Sequence, residues 1–191
     1  MTLQPARSVA EYFHDLLTAA LRNQAVPTSE LTEFYLVNLL TEFTRADIDE
    51  EPLAFKLAQA AAEAGPERAR HLKEVGDTTL YVSGFFTESL ERKAVALDYY
   101  ISLGGSAYAA LSGLIALSRE GESFAGVYGE LSDKFPRFVD VLGEVSEKSA
   151  LTSNRGIVRL YERWVNTRSS WIAQKLIARG LIPPRGGGVK H

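Results

Sequence analysis

The chain has 191 residues, 46% hydrophobic and 24% charged, a balance that suits one folded domain with a sizeable core and excludes a disordered chain. It contains no cysteine, which excludes disulfides, thiolate catalysis and cysteine-ligated zinc or iron–sulfur clusters, and fits a reducing compartment. The formal net charge of −3 hides a split: residues 155–191 carry eight bases against one acid, leaving the body roughly −10 and the last segment roughly +7.

The first predicted helix spans about Ser8 to Asn23. Ser8 and Glu11 have capping-box spacing, and Val9, Phe13, Leu16, Leu17, Ala20 and Leu21 form its apolar stripe. Glu11, His14 and Asp15 interrupt the apolar residues of this opening stretch, so it does not read as a secretory signal. No apolar run in the chain reaches the roughly eighteen residues that span a bilayer. A cytoplasmic protein is the expectation.

After Pro27, Thr28 or Ser29 can cap a second helix in which Leu31, Phe34, Tyr35, Val37, Leu39, Leu40 and Phe43 surround most of the cylinder, which predicts a central position. Asp47 or Asp49 can cap a third, with Leu53, Leu57, Ala60, Ala61 and Ala64 facing inward. Gly65-Pro66 then ends one helix and opens the next. That fourth helix is expected to run to about Val82, with Gly76-Asp77 in its middle demanding a packing or chemical reason. Tyr81 to Phe86 reads as the helix end and a turn whose two phenylalanines plug into the core.

Thr87 or Ser89 caps a helix expected to stop at Gly104-Gly105, followed by a small-residue helix from Ser106 to Ser118. Two shorter helices, Gly121 to Leu131 and Pro136 to Lys148, come next. A long last helix runs from Ser153 or Asn154 to Ala178, before a tail containing Pro183, Pro184 and three successive glycines. The expected fold is all-α: an irregular multi-helix bundle of about eight to nine helices with a long C-terminal helix. A single domain would cover 1–180, with a flexible tail over 181–191.

Three groups of residues bear on function. Glu11 and His14 stand one turn apart, and His71 and Glu74 repeat the spacing in reverse, with Glu67 and Asp77 near the same face. Paired Glu-x-x-His turns are the ligand set of carboxylate-bridged di-metal bundles, and Glu30, Glu33 or Glu42 can supply further acids. The structural alternative is that both histidines lie at helix surfaces or make core hydrogen bonds.

The second group is Asp77, Tyr81, Tyr100 and Tyr108, a carboxylate and three phenols around the Gly104-Gly105 break. They can line a small-molecule pocket, or Asp77 can simply be a buried acid satisfied by a tyrosine hydroxyl. No histidine stands beside an activated serine and no phosphate-cradling pattern is present, so an enzyme is disfavoured. No cofactor is implied.

The third group is the guanidinium stripe Arg155, Arg159 and Arg163 with Trp164 and Trp171, residue types favoured at protein interfaces. The alternative is an internal helix whose arginines neutralise the acidic body. Well-spaced bases and a body near −10 disfavour nucleic acid. The function expected is a non-enzymatic helical interaction or regulatory module with a protein partner or self-association, such as a homodimer. The alternative is a protein that binds a small molecule, or a metal through carboxylates and histidines.

Overall fold

A computed structural model describes residues 8–45, 53–86, 94–118, 121–149 and 173. Among them are seven helices and no strand: α1 (Val9–Asn23), α2 (Glu30–Arg45), α3 (Leu53–Ala62), α4 (Gly65–Phe85), α5 (Ala94–Ile115), α6 (Glu122–Asp133) and α7 (Phe135–Lys148). The long C-terminal helix and the tail lie outside the described residues, except for helical Ala173. Contacts divide the chain into two units, Met1–Ser146 and Glu147–His191. No helix among the described residues is long and apolar enough to cross a membrane.

Local chemistry starts the helices where the spacing predicts. Ser8 and Glu11 close the capping box on α1: the Ser8 N–H donates to Glu11 Oε2 at 2.9 Å and the Glu11 N–H to Ser8 Oγ at 3.1 Å. Ser29 caps α2, accepting from the Thr32 N–H at 3.2 Å. The Ser29 N–H and hydroxyl in turn donate to Glu130 of α6, so this cap is fastened from another helix. Gly65 adopts φ +61 at the start of α4, a left-handed backbone that a side chain would strain, and it turns the chain back on α3.

Within the first unit α4 packs on α3 and α5, α5 on α6, and α1 on α2, which also meets α4 and α6. Asn23 and Gln24 tie the end of α1 to Glu144 of α7 at 2.8 and 2.9 Å. Phe13, Leu17, Leu36, Leu40, Val75, Leu80, Leu131, Phe135, Phe138 and Leu142 are completely or almost completely buried. Each such side chain contributes about 1.5–3 kcal/mol by leaving water.

Three expectations need correction. The helix does not stop at Gly104-Gly105; α5 runs through both glycines to Ile115. A Cβ at Gly104 would lie 2.3 Å from Phe135 Cζ and from Thr79 Oγ1, so the glycine admits a neighbouring ring. Its propensity cost of about 1 kcal/mol is smaller than the gain from burying that phenylalanine. Likewise α4 continues to Phe85, because Gly84 lets Leu142 of α7 approach to where a Cβ would be 2.5 Å away. Phe85 stacks on Tyr81 at 4.7 Å, whereas Phe86 is 40% exposed and does not plug the core. Finally, α2 is not apolar-buried all round: Leu31 and Phe34 face outward.

Candidate functional site

Asp77, on α4, is a buried carboxylate, 7% exposed. Its Oδ1 accepts from Tyr35 Oη of α2 at 2.5 Å and from Tyr108 Oη of α5 at 2.7 Å. Its Oδ2 accepts from Lys73 Nζ, one turn back on α4, at 2.7 Å. Tyr128 of α6 completes the cluster, edge-on to Tyr35 and stacked on Tyr108 with ring centres 5.5 and 5.8 Å apart. Lys73 Nζ also stands 5.5 Å from the centre of the Tyr35 ring. Three helices therefore meet on one carboxylate, and a fourth closes the cluster through the Tyr128 ring.

Gly76 makes this meeting possible. A Cβ there would lie 2.5 Å from Tyr108 Cε1, so only glycine lets the buried phenol lie against α4 and reach the neighbouring aspartate. That is the packing reason the Gly76-Asp77 pair demands.

The electrostatics favour structure over chemistry. Burial, reinforced by the other phenols and Asp77, pushes the Tyr35 hydroxyl far up. Burial does the same to Tyr108 and, more weakly, to Tyr128. All three stay protonated near neutral pH, so none is a phenolate base or nucleophile. Partial burial is the largest influence on Lys73 and works to discharge it; the Asp77 charge and hydrogen bond outweigh that and hold it raised. Both oxygens of Asp77 are engaged by the chain itself, and the cluster is a pin between helices.

Of the expected pocket residues, Asp77 and Tyr108 come together. Tyr81 stands elsewhere, stacked between Phe43 at 4.4 Å and Phe85 at 4.7 Å, although it is one turn from Asp77 on α4. Tyr100 meets Tyr99 edge-on at 6.1 Å. The partners that complete the cluster, Tyr35, Lys73 and Tyr128, were not in the expected set. Lys73 had a local signal, since a lysine four residues before an aspartate shares its face; the two tyrosines come from other helices and had none. Arg155, Arg159, Arg163, Trp164 and Trp171 lie outside the described residues.

The two histidine turns occupy different surroundings. Glu11 is committed to the capping box, and His14, 60% exposed at its side chain, stands 3.7 Å from Asp15 and 3.9 Å from Glu33. His71 is buried on α4, with Nε2 3.1 Å from Glu63 Oε2 and Nδ1 3.7 Å from Glu74 Oε2. Glu63, Glu67 and His71 each bring one ligand atom within 4.8 Å of the others. Glu63 follows the end of α3 and reaches His71 because the Gly65 turn folds it back onto α4. Arg70 bridges Glu67 and Glu74 at 2.9 Å each beside this group.

The architecture and these two clusters define an all-α bundle pinned by a buried carboxylate, with an acid-and-histidine group on its α3–α4 hairpin. No family model, curated protein or solved structure matches the chain.

Proposed function

We propose that the chain is a non-enzymatic helical interaction module that associates with a protein, in the first instance with its own copies. The observation that carries this reading is the outward face of α2, where Leu31 and Phe34 are 56% and 65% exposed one turn apart. Large apolar side chains grouped at a surface favour contact with another surface that removes them from water. The polar centre supports the same reading from the opposite side, since the chain's own hydroxyls and ammonium fill Asp77. The basic segment with Arg155, Arg159, Arg163, Trp164 and Trp171 is the second proposed contact, and its charge complements the acidic body.

Sedimentation of the full chain across a concentration series tests the proposal. The expected result is reversible association that Leu31→Lys with Phe34→Lys abolishes while the melting temperature holds. A wild-type chain that stays monomeric at millimolar concentration, or a double variant that associates equally, would overturn the role of this face. If the basic segment contributes, association weakens steeply as salt rises, because its charges are screened.

A further inference from the structure

We propose that Glu63, Glu67 and His71 form a binding site for one divalent transition-metal ion, zinc in preference to magnesium, with Glu74 orienting the imidazole. The site does not depend on the interaction surface of α2. His71 is only 6% exposed, yet its Nδ1 has no hydrogen-bond partner, and neither has the buried Glu63 Oε2 that faces its Nε2 at 3.1 Å. Nδ1 faces Glu74 instead, and the pair that points into the site is Nε2 and the unbonded Glu63 Oε2. A basic nitrogen and a carboxylate oxygen that close need a cation or a hydrogen between them, and Arg70 Nη2, 3.3 Å from Nε2, is the donor nearby. Glu67, one turn before His71 on α4, supplies a second carboxylate to the same place.

The charge balance points the same way. Three carboxylates, Glu63, Glu67 and Glu74, surround the imidazole, and Arg70 is the cation bonded among them. This leaves an excess of negative charge that a dication relieves. Tetrahedral zinc with bonds of about 2.0–2.1 Å holds its ligand atoms about 3.3 Å apart. The present spacing, within 4.8 Å, closes to that value by side-chain rotation, which the half-exposed Glu63 and exposed Glu67 allow. Glu74 Oε2 lies 3.7 Å from Nδ1, beyond a hydrogen bond, and a small rotation of this half-exposed side chain lets it accept the Nδ1 hydrogen and so leave the Nε2 lone pair for the ion. One imidazole with two carboxylates leaves a coordination position open to water and suits a borderline ion better than magnesium, which favours oxygen ligands.

Arg70 is the competitor. Its Nη2 lies 3.3 Å from His71 Nε2 and 2.9 Å from Glu67 Oε2, so the guanidinium stands where the ion would bind. At 54% side-chain exposure it can swing into water as the metal enters. This gives the site a signature that a merely acidic surface lacks: removing a positive residue should tighten binding, and removing a buried histidine should weaken it.

Calorimetric titration of chelator-treated full-length protein with zinc chloride provides the test. The expected result is one zinc ion per chain, with no heat from magnesium chloride at the same concentration. The Glu63→Gln, Glu67→Gln double variant should weaken binding by about tenfold or more, His71→Ala should do so at least as strongly, and Arg70→Ala should tighten it several-fold. His14→Ala should change nothing. The double variant alters two side chains that reach solvent, so it keeps the test decisive if His71→Ala fails to fold. Absence of zinc binding, equal binding by wild type and the double variant, or a loss that follows His14 instead of His71 would each overturn the proposal.

Discussion

Helix α4 carries two acid-centred clusters six residues apart, and they are built on opposite terms. At Asp77 every carboxylate oxygen has a donor from the chain, drawn from α2, α4 and α5, and the ring of Tyr128 closes the cluster from α6. At His71 three carboxylates crowd one imidazole, and two buried atoms have no hydrogen bond. The first arrangement holds the bundle together. The second leaves valence unmet at the edge of the same helix, and a protein retains such groups most readily where something else satisfies them.

Removing the pin should produce the largest effect. Asp77→Ala strands the hydroxyl of the fully buried Tyr108 and leaves Lys73 without its counter-ion. The expected loss is about 3 kcal/mol, read as a fall in the urea midpoint. Asp77→Asn keeps an acceptor oxygen for the phenols and should lose about half as much. A loss below about 1 kcal/mol for Asp77→Ala would break the contrast, because the cluster would then hold nothing that the rest of the core does not.

Gly76→Ala comes next, and its sign is the informative part. Helix propensity alone favours alanine by about 1 kcal/mol. The new Cβ would meet Tyr108 at 2.5 Å, and that ring is trapped between Gly76, Tyr128 and Phe135. Overpacking costs about 1–3 kcal/mol, so the net change should be destabilising. Gly113, also helical but exposed and with nothing near its Cβ position, is the control and should gain about 0.5–1 kcal/mol as alanine.

These glycines also show how far the sequence could be read. Periodicity and caps identify the helices because those signals are local: Ser8, Ser29 and Gly65 act where their spacing says. A glycine inside a helix is ambiguous on paper, since a chain break and a close contact use the same residue. Gly76, Gly84 and Gly104 are contacts, and only the rings and side chains brought by Tyr108, Leu142 and Phe135 reveal it. The site was half legible for the same reason. Asp77 stands out beside a mid-helix glycine and His71 by its one-turn spacing from Glu74, but Tyr35 and Tyr128 come from other helices and Glu63 from beyond the Gly65 turn, where no single helix period carries the signal.

A smaller effect concerns a third acid, Glu130, whose bonds fasten α6 to the start of α2. Partial burial is the largest single influence on its carboxyl and works to raise it. The Lys134 ammonium and the hydroxyls of Thr32 and Ser29 overcome this and lower it from 4.5 to about 2. A depressed folded-state value means the contribution is complete above about pH 4.5 and is lost as pH falls toward 2. Between those limits the stability difference between wild type and Glu130→Gln should shrink, and above pH 5 it should be constant. A difference that is flat from pH 5 to 2.5 would remove Glu130 from the satisfied acids and place it with the surface.

His71→Leu should have the smallest effect on stability, and it sharpens the comparison most directly. Leucine fills a similar volume and removes an imidazole nitrogen that is buried without a partner. Exchanging an unsatisfied polar group for an apolar one is close to neutral and can be favourable. Glu63 loses the imidazole nitrogen beside its Oε2 but keeps 40% of its side chain in water, where it can be solvated. In metal-free buffer the change in urea midpoint should correspond to less than about 1 kcal/mol, against about 3 kcal/mol for Asp77→Ala. With zinc present the order should reverse its meaning: wild type gains melting temperature and His71→Leu does not, since only a chain that binds the ion is stabilised by it. A loss of 2 kcal/mol or more without metal would mean that His71 is a structural pin like Asp77, and the two clusters would no longer differ in kind.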